Sequence, residues 1–100
     1  MRWCEAADKH RPVVVLTRDS AIGYLSSLTV APITTTIRNI RSEVLLDQED
    51  GMRVPCAVNC DNLLTVPKRS LGSLIAVLSP SKMAAVGQAL AFALGFDEWA

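Results

Sequence analysis

Three groups of polar residues stand at the edges of apolar runs, and their types suit one kind of substrate. Arg11 opens "RPVVVLTR", Thr34, Thr35 and Thr36 close "SLTVAPITTT", and Asn59 and Asp61 flank Cys60 at the end of "RVPCAVNC". A guanidinium neutralises phosphate charge through two parallel hydrogen bonds. A threonine hydroxyl donates to a non-bridging phosphate oxygen, and a carboxylate accepts a proton. Strand ends converge at the rim of a small barrel, where a guanidinium, a hydroxyl and a carboxylate would suit a phosphodiester. None of these groups needs a metal. Each also has an ordinary reading. Arginine before proline is commonly a surface residue, threonines ending a strand are commonly β-formers with solvated hydroxyls, and Asp61-Asn62 is commonly a turn. His10 reads first as an exposed loop residue. Arg38 and Arg41 in "IRNIR" read as a solvated edge that discourages strand pairing, with phosphate contact as the alternative.

The elements that must position these groups belong to one compact domain, residues 1–100. Half of the 100 residues are apolar and a fifth are charged, which excludes a disordered chain. No apolar run reaches the roughly 18 residues of a membrane span. The opening "MRWCEAADKHR" lacks an apolar signal core, so a cytoplasmic protein is expected. With a formal net charge of zero, any bound nucleic acid must be held by a local cluster of cations. Cys4, Cys56 and Cys60 form no disulfide framework, and a single histidine leaves a four-ligand zinc site undersupplied. The cysteines read as small buried hydrophobes in a reducing compartment. The shortage of histidine also argues against a His-pair nuclease and a Ser-His-Asp triad.

Strands are predicted at "RPVVVLTR", with Pro12 at its start, "SLTVAPIT", "SEVLLD", "RVPCAVNC", "NLLTVP" and "SLIAVL". "MRWCEA" reads as the tail of a further, shortened strand. Asp50-Gly51 marks a turn. The period then changes. Ser79 is a good N-cap, Pro80 suits the first helical position and Gly95 signals the end. This helix places Met83, Val86, Leu90 and Leu94 on one stripe, and Gly87 implies a close packing contact. Phe92, Phe96 and Trp99 add apolar surface, which hints at a homodimer. Physical reasoning alone stops at a small, mainly β domain with one C-terminal helix.

Three motifs in order, "HRPVVVLTRD", "VAPITTTIRNIRSEVLL" and "VPCAVNCDNLLTVPK", resemble the MazF/PemK family of toxin endoribonucleases from type II toxin–antitoxin modules. The resemblance spans about Trp3 to Phe96 and is nearest the actinobacterial branch. It implies an SH3-like β-barrel with a C-terminal helix, a homodimer, and a cognate MazE-like antitoxin. The implied activity is sequence-specific cleavage of single-stranded RNA without metal or other cofactor, through attack of the 2′-hydroxyl on the neighbouring phosphate. The products are a 2′,3′-cyclic phosphate and a 5′-hydroxyl. Arg11 and Thr34 match the family's catalytic arginine and threonine, and Asp61 matches an acidic residue some members use near the scissile phosphate. His10, Thr36, Arg38 and Asn59 are the expected RNA-binding residues. Asp61 or His10 is the expected acceptor of the 2′-proton, and Thr35 should point away from Thr34 if the strand continues. The chain departs from the family in lacking the usual Arg-Gly-acidic start and in shortening the first loop to "EAADKH". A CcdB-type gyrase poison and a non-catalytic SH3-like binding barrel are the alternatives. The first shares the fold but lacks the arginine–threonine pair.

Overall fold

The computed structural model describes the backbone of residues 1–6 and 9–99, and their side chains except those of residues 6, 9, 97 and 99. Its axis is β3, Ser27–Thr34. Leu28, Val30, Ala31, Pro32 and Ile33 are all buried, as in a strand covered on both faces. β2, Lys9–Val15, pairs along one edge of β3, from Val13↔Pro32 to Val15↔Val30. The other edge is divided. β6, Leu64–Pro67, pairs with residues Ser27 to Val30, and β5, Cys56–Asn59, pairs with Ile33 and Thr34. β1, Arg2–Ala6, joins β2 to β7, Leu71–Leu74, and β4, Glu43–Leu46, lies outside β5. Every ladder is antiparallel.

The path β4-β5-β3-β2-β1-β7 ends at β7, with β6 attached to β3. No ladder among the described residues joins the two ends. The expected barrel is therefore a bent sheet whose circuit is not closed. β6 commits its pairing to the first half of β3, and the chain leaves the sheet after Leu74.

Several strand boundaries differ from expectation, including β5, which begins at Cys56 and not at Arg53. β1 is a paired strand of five residues, not a remnant, and its ladder runs from Arg2↔Val13 to Ala6↔Lys9. The residues joining these strands, 7 and 8, lie outside the described residues. β2 starts before Pro12. The proline sits opposite Trp3 and ahead of the first β2–β3 pair, so its missing N–H removes nothing from that ladder. β7 covers Leu71–Leu74, in place of the expected "SLIAVL". Ile75, Ala76 and Leu78 instead pack onto the core outside the ladder, so their apolarity serves packing. Where "AIGYL" breaks the run, a short helix α1 forms, Asp19–Ile22.

Helix α2, Pro80–Leu94, begins and ends where its sequence signals place it. The Lys82 N–H donates to Ser79 Oγ at 3.2 Å, and Gly95 adopts φ +77°. Its buried face is narrower than the expected stripe. Val86 and Ala89 are buried, Leu90 is half-buried, and Met83 and Leu94 are 40% and 44% exposed. Alanines at 85, 89 and 93 let the helix present a small-residue face to the sheet. Gly87 faces open space, not a close neighbour. Phe92 is covered on one side by the Arg41 guanidinium, 4.3 Å from the ring centroid. A last turn, α3, spans Phe96–Trp99. Phe96 is exposed, and the Trp99 side chain lies outside the described residues. No helix among the described residues is long and apolar enough to cross a membrane.

The main core lies between the sheet and α2, with a smaller cluster of Cys4, Val13, Val30 and Val66 on the other face of β2 and β3. All three cysteines are free and buried. Burial, then the Asp61 charge, pushes the Cys60 thiol up to about 11. Burial, then Asp50 and Asp47, raises Cys56 as well. Native protein exposed to iodoacetamide at neutral pH should stay unlabelled and become fully labelled in concentrated guanidinium chloride, as read by intact mass. Rapid native labelling of Cys56 or Cys60 would contradict this packing.

Candidate active site

The β2–β3 ladder places the two principal candidates together. Two residues beyond Val13↔Pro32, in the same register, Arg11 falls opposite Thr34. Alternate residues share a face, so both belong to the face carrying Val13 and Pro32. The ladder stops before this pair, which leaves it at an open rim. Thr34 is the last residue of β3 and is half-buried, and Arg11 is exposed. Thr34 Oγ1 accepts the Thr36 N–H at 3.1 Å. That bond fixes the hydroxyl oxygen and leaves its proton to donate outward.

A cavity of about 650 Å³ opens beside the pair. Its polar side chains are Arg11, Arg53, Thr34 and Thr35, and its apolar wall includes Trp3, Ile33, Met52, Val54 and Ile75. Among the described residues, no carboxylate lines it. Neither the Arg11 nor the Arg53 side chain has a hydrogen bond or ion pair among the described residues. A chain with no net charge thus concentrates two cations over an apolar surface. Such a cavity attracts an anion joined to a flat apolar group.

The Arg53 wall is held by local chemistry. Asp47 and Asp50 form a reciprocal cap around the single turn Gln48–Asp50, and Gly51 follows at φ +92°. A Cβ on Gly51 would lie 2.7 Å from the Ala76 Cβ. Lys82 ties the turn to α2, with Nζ 3.6 Å from Asp50 Oδ2 and 2.6 Å from the Leu45 carbonyl oxygen.

The other expected site residues are distributed around this centre. The chain bends after Thr34, so Thr35 joins the cavity lining, contrary to the alternation expected of a continuing strand. Thr36 contributes its backbone N–H to Thr34 and does not line the cavity. His10 stacks on Trp3, with ring centroids 4.4 Å apart and 16° between planes, and its Nδ1 pairs with Glu5. It therefore backs the Trp3 wall. Asp61 accepts from the buried Ser42 hydroxyl and stands 3.9 Å from Arg38. Asn59 is buried, and its Oδ1 accepts the Asp61 N–H at 3.0 Å. Arg38 donates from its backbone N–H and Nε to the Glu43 carboxylate at 2.9 and 3.2 Å. Asp61, Asn59 and Arg38 thus form a separate polar cluster and do not line the Arg11–Thr34 cavity. Arg53 and Trp3 join the site without a sequence signal of their own. The nearest to one is the place of Arg53 just after the Asp50-Gly51 turn. Among the described residues, no group of three or more His, Cys, Asp or Glu is placed to hold a metal ion.

Known proteins share this architecture. Endoribonuclease MazF3 of Mycobacterium tuberculosis is 42% identical over 90 residues, covering 90% of this chain and 87% of the relative. The structure of the Mycobacterium tuberculosis toxin MazF-mt6 superposes with a TM-score of 0.87 at 39% identity, covering 94% of this chain and 95% of that one. An endoribonuclease in complex with its cognate antitoxin from a mycobacterial species superposes with a TM-score of 0.85 at 26% identity, covering 94% and 89%. The model of the PemK-like, MazF-like toxins matches residues 4–94, a stretch holding β2, β3, the Arg11–Thr34 rim and α2. By that match and these likenesses, the chain belongs to the PemK-like, MazF-like toxin family of type II toxin–antitoxin systems.

Proposed function

We propose that this toxin is an endoribonuclease that cleaves single-stranded RNA at a phosphodiester seated between Arg11 and Thr34. The observation that carries the reading is their register: two groups suited to phosphate stand opposite each other at an open rim, beside a second cation. Arg11 forms a bidentate contact with the non-bridging oxygens and stabilises the charge that builds on phosphorus. The Thr34 hydroxyl donates to the same phosphate and fixes it for in-line attack by the 2′-oxygen. The bond to the 5′-oxygen breaks, leaving a 2′,3′-cyclic phosphate and a 5′-hydroxyl. Arg11 also donates a hydrogen bond to the leaving oxygen, which takes its proton from water. Trp3, Met52 and Val54 offer a surface against which an unstacked base can lie.

Of the two groups expected to take the 2′-proton, neither lines the cavity, and His10 is the one that touches its wall, behind Trp3. Its Nδ1 is engaged by Glu5, which leaves Nε2 as the second functional nitrogen, and its ring backs the cavity wall through Trp3. Asp61 is committed to Ser42 and serves the neighbouring cluster, which braces the loop after β3. A cognate antitoxin neutralises the toxin in the cytoplasm. The solved complex of a related endoribonuclease with its antitoxin supports that partner. The exposed Leu74, Val77, Phe92 and Phe96 support a homodimer.

The test is cleavage of single-stranded RNA by purified protein in excess EDTA, followed by analysis of both new ends. Cleavage should persist with the chelator, and the 5′ ends should accept phosphate from a polynucleotide kinase without prior dephosphorylation. Chelator-sensitive cleavage, or 5′-phosphate ends, would overturn the chemistry. Intact RNA beside inhibited gyrase supercoiling would replace it with a gyrase poison.

A further inference from the structure

Arg11 lines two cavities. The second, about 540 Å³, lies over the face of β2 and β3 that carries the smaller core cluster. Val13, Pro32 and Val66 form its floor, and Arg69, Thr65 and Ser70 supply polar groups around them. Arg69 is exposed and has no partner among the described residues. It stands on a single turn, Lys68–Ser70, that is fixed on both sides. Ser70 Oγ donates to the Pro67 carbonyl oxygen at 2.6 Å, Lys68 Nζ to that of Ile22 at 2.6 Å, and the Lys68 N–H to that of Ser26 at 2.9 Å. Among the described residues, the acid in the wall is Glu5, which is engaged by His10. The site therefore offers an exposed guanidinium, carried on a fixed turn, over an apolar floor, continuous with the catalytic rim through a shared arginine.

We propose that this second cavity binds the nucleotide adjoining the scissile phosphate in single-stranded RNA, with Arg69 on its phosphate and its base against Pro32 and Val66. The inference rests on Arg11 acting at the scissile phosphate. With that phosphate held at Arg11, the strand on one side runs into the first cavity towards Arg53, and on the other side over Pro32 towards Arg69. A guanidinium spaced from the reacting group binds ground and transition states alike, so it acts on KM and leaves kcat nearly unchanged.

The experiment uses the full chain and an RNA oligonucleotide carrying a mapped cleavage site, in full length and trimmed stepwise from each end. Arg69→Ala should raise KM by roughly 5- to 10-fold and change kcat by less than about 2-fold, as expected for one solvent-facing charged contact. Its log–log salt slope should be shallower by about 0.7, one single-strand phosphate contact. Arg69→Lys should recover much of the affinity. Trimming from one end alone should abolish the difference between Arg69→Ala and wild type. If Arg69→Ala matches wild type on the full-length RNA at every salt concentration while Arg11→Ala is inactive, the second cavity is not a subsite and the catalytic reading stands. If Arg11→Ala cleaves at the wild-type rate, the catalytic reading falls. A changed elution volume for Arg69→Ala, with a KM that tracks protein concentration, would mark the cavity as a contact between copies and overturn the inference.

Discussion

Arg11→Ala should slow RNA cleavage by on the order of 10² to 10³-fold, the usual cost of removing one preorganised donor from a developing oxyanion. The melting temperature should not move. Arg11 is exposed and has no partner among the described residues, so its removal leaves no orphaned group and no hole. That separation of activity from stability identifies a chemical role. Arg11→Lys should fall between the two, because an ammonium keeps the charge but loses the two-pronged geometry. Thr34 needs a finer pair of substitutions, since its Oγ1 also accepts the Thr36 N–H. Thr34→Ser keeps both roles and should retain most activity. Thr34→Val keeps the shape and β-branching but can neither donate to phosphate nor accept the Thr36 N–H, and should lose activity on the scale of Arg11→Ala. Wild-type single-turnover rates for Arg11→Ala and Thr34→Val would remove both from the chemistry.

Gly51→Val should destabilise the fold strongly, in contrast to Arg11→Ala. At φ +92° a β-branched residue is strained, at about 1–2 kcal/mol for the left-handed backbone alone. Its Cβ would also meet that of Ala76 at 2.7 Å, and relief of such crowding adds about 1–3 kcal/mol. A combined loss of about 2–5 kcal/mol in a domain of this size lowers the melting temperature by roughly 10–30 °C. Gly51→Ala should show a smaller loss of the same sign, because it shares the backbone strain and the first contact without the branching. The effect reaches the cavity, since Gly51 and the following Met52 and Arg53 all line it. Thermal melting monitored by circular dichroism measures both variants, and an unchanged midpoint for Gly51→Val would refute the described turn.

Local signals are legible where one residue type decides the structure. β3 matches "SLTVAPIT" to the residue, because a continuous apolar run ends abruptly in hydroxyls. α2 matches its caps, because Ser79, Pro80 and Gly95 each satisfy a specific backbone demand. The core face of α2 is less legible, since Leu94 and Met83 are more apolar than the alanines that do the packing. Apolar content likewise misplaces β7, because it does not distinguish a residue in a ladder from one that only packs. Arg11 and Thr34 stand out through a family resemblance, but their juxtaposition depends on which strands pair and in what register. Asp61 does stand in a turn, yet its partner Ser42 is 19 residues away, and no local pattern announces that bond. Arg53 reaches the site only because the turn behind it docks against Ala76.

The divided edge of β3 has a consequence for how the toxin can fail. β3 is the strand to which β2, β5 and β6 all attach, and Thr34 is its final residue. Opening that strand would undo both halves of the sheet at once, so its pairing is lost only with the fold. Segments at the periphery, such as β7, can fray at a far lower free-energy cost. The strand that positions Thr34 is thereby tied to the global folding equilibrium. A weakened variant would be a mixture of fully competent and unfolded chains, and dosage of the toxin would be set by the number of folded molecules and not by a graded loosening of each one.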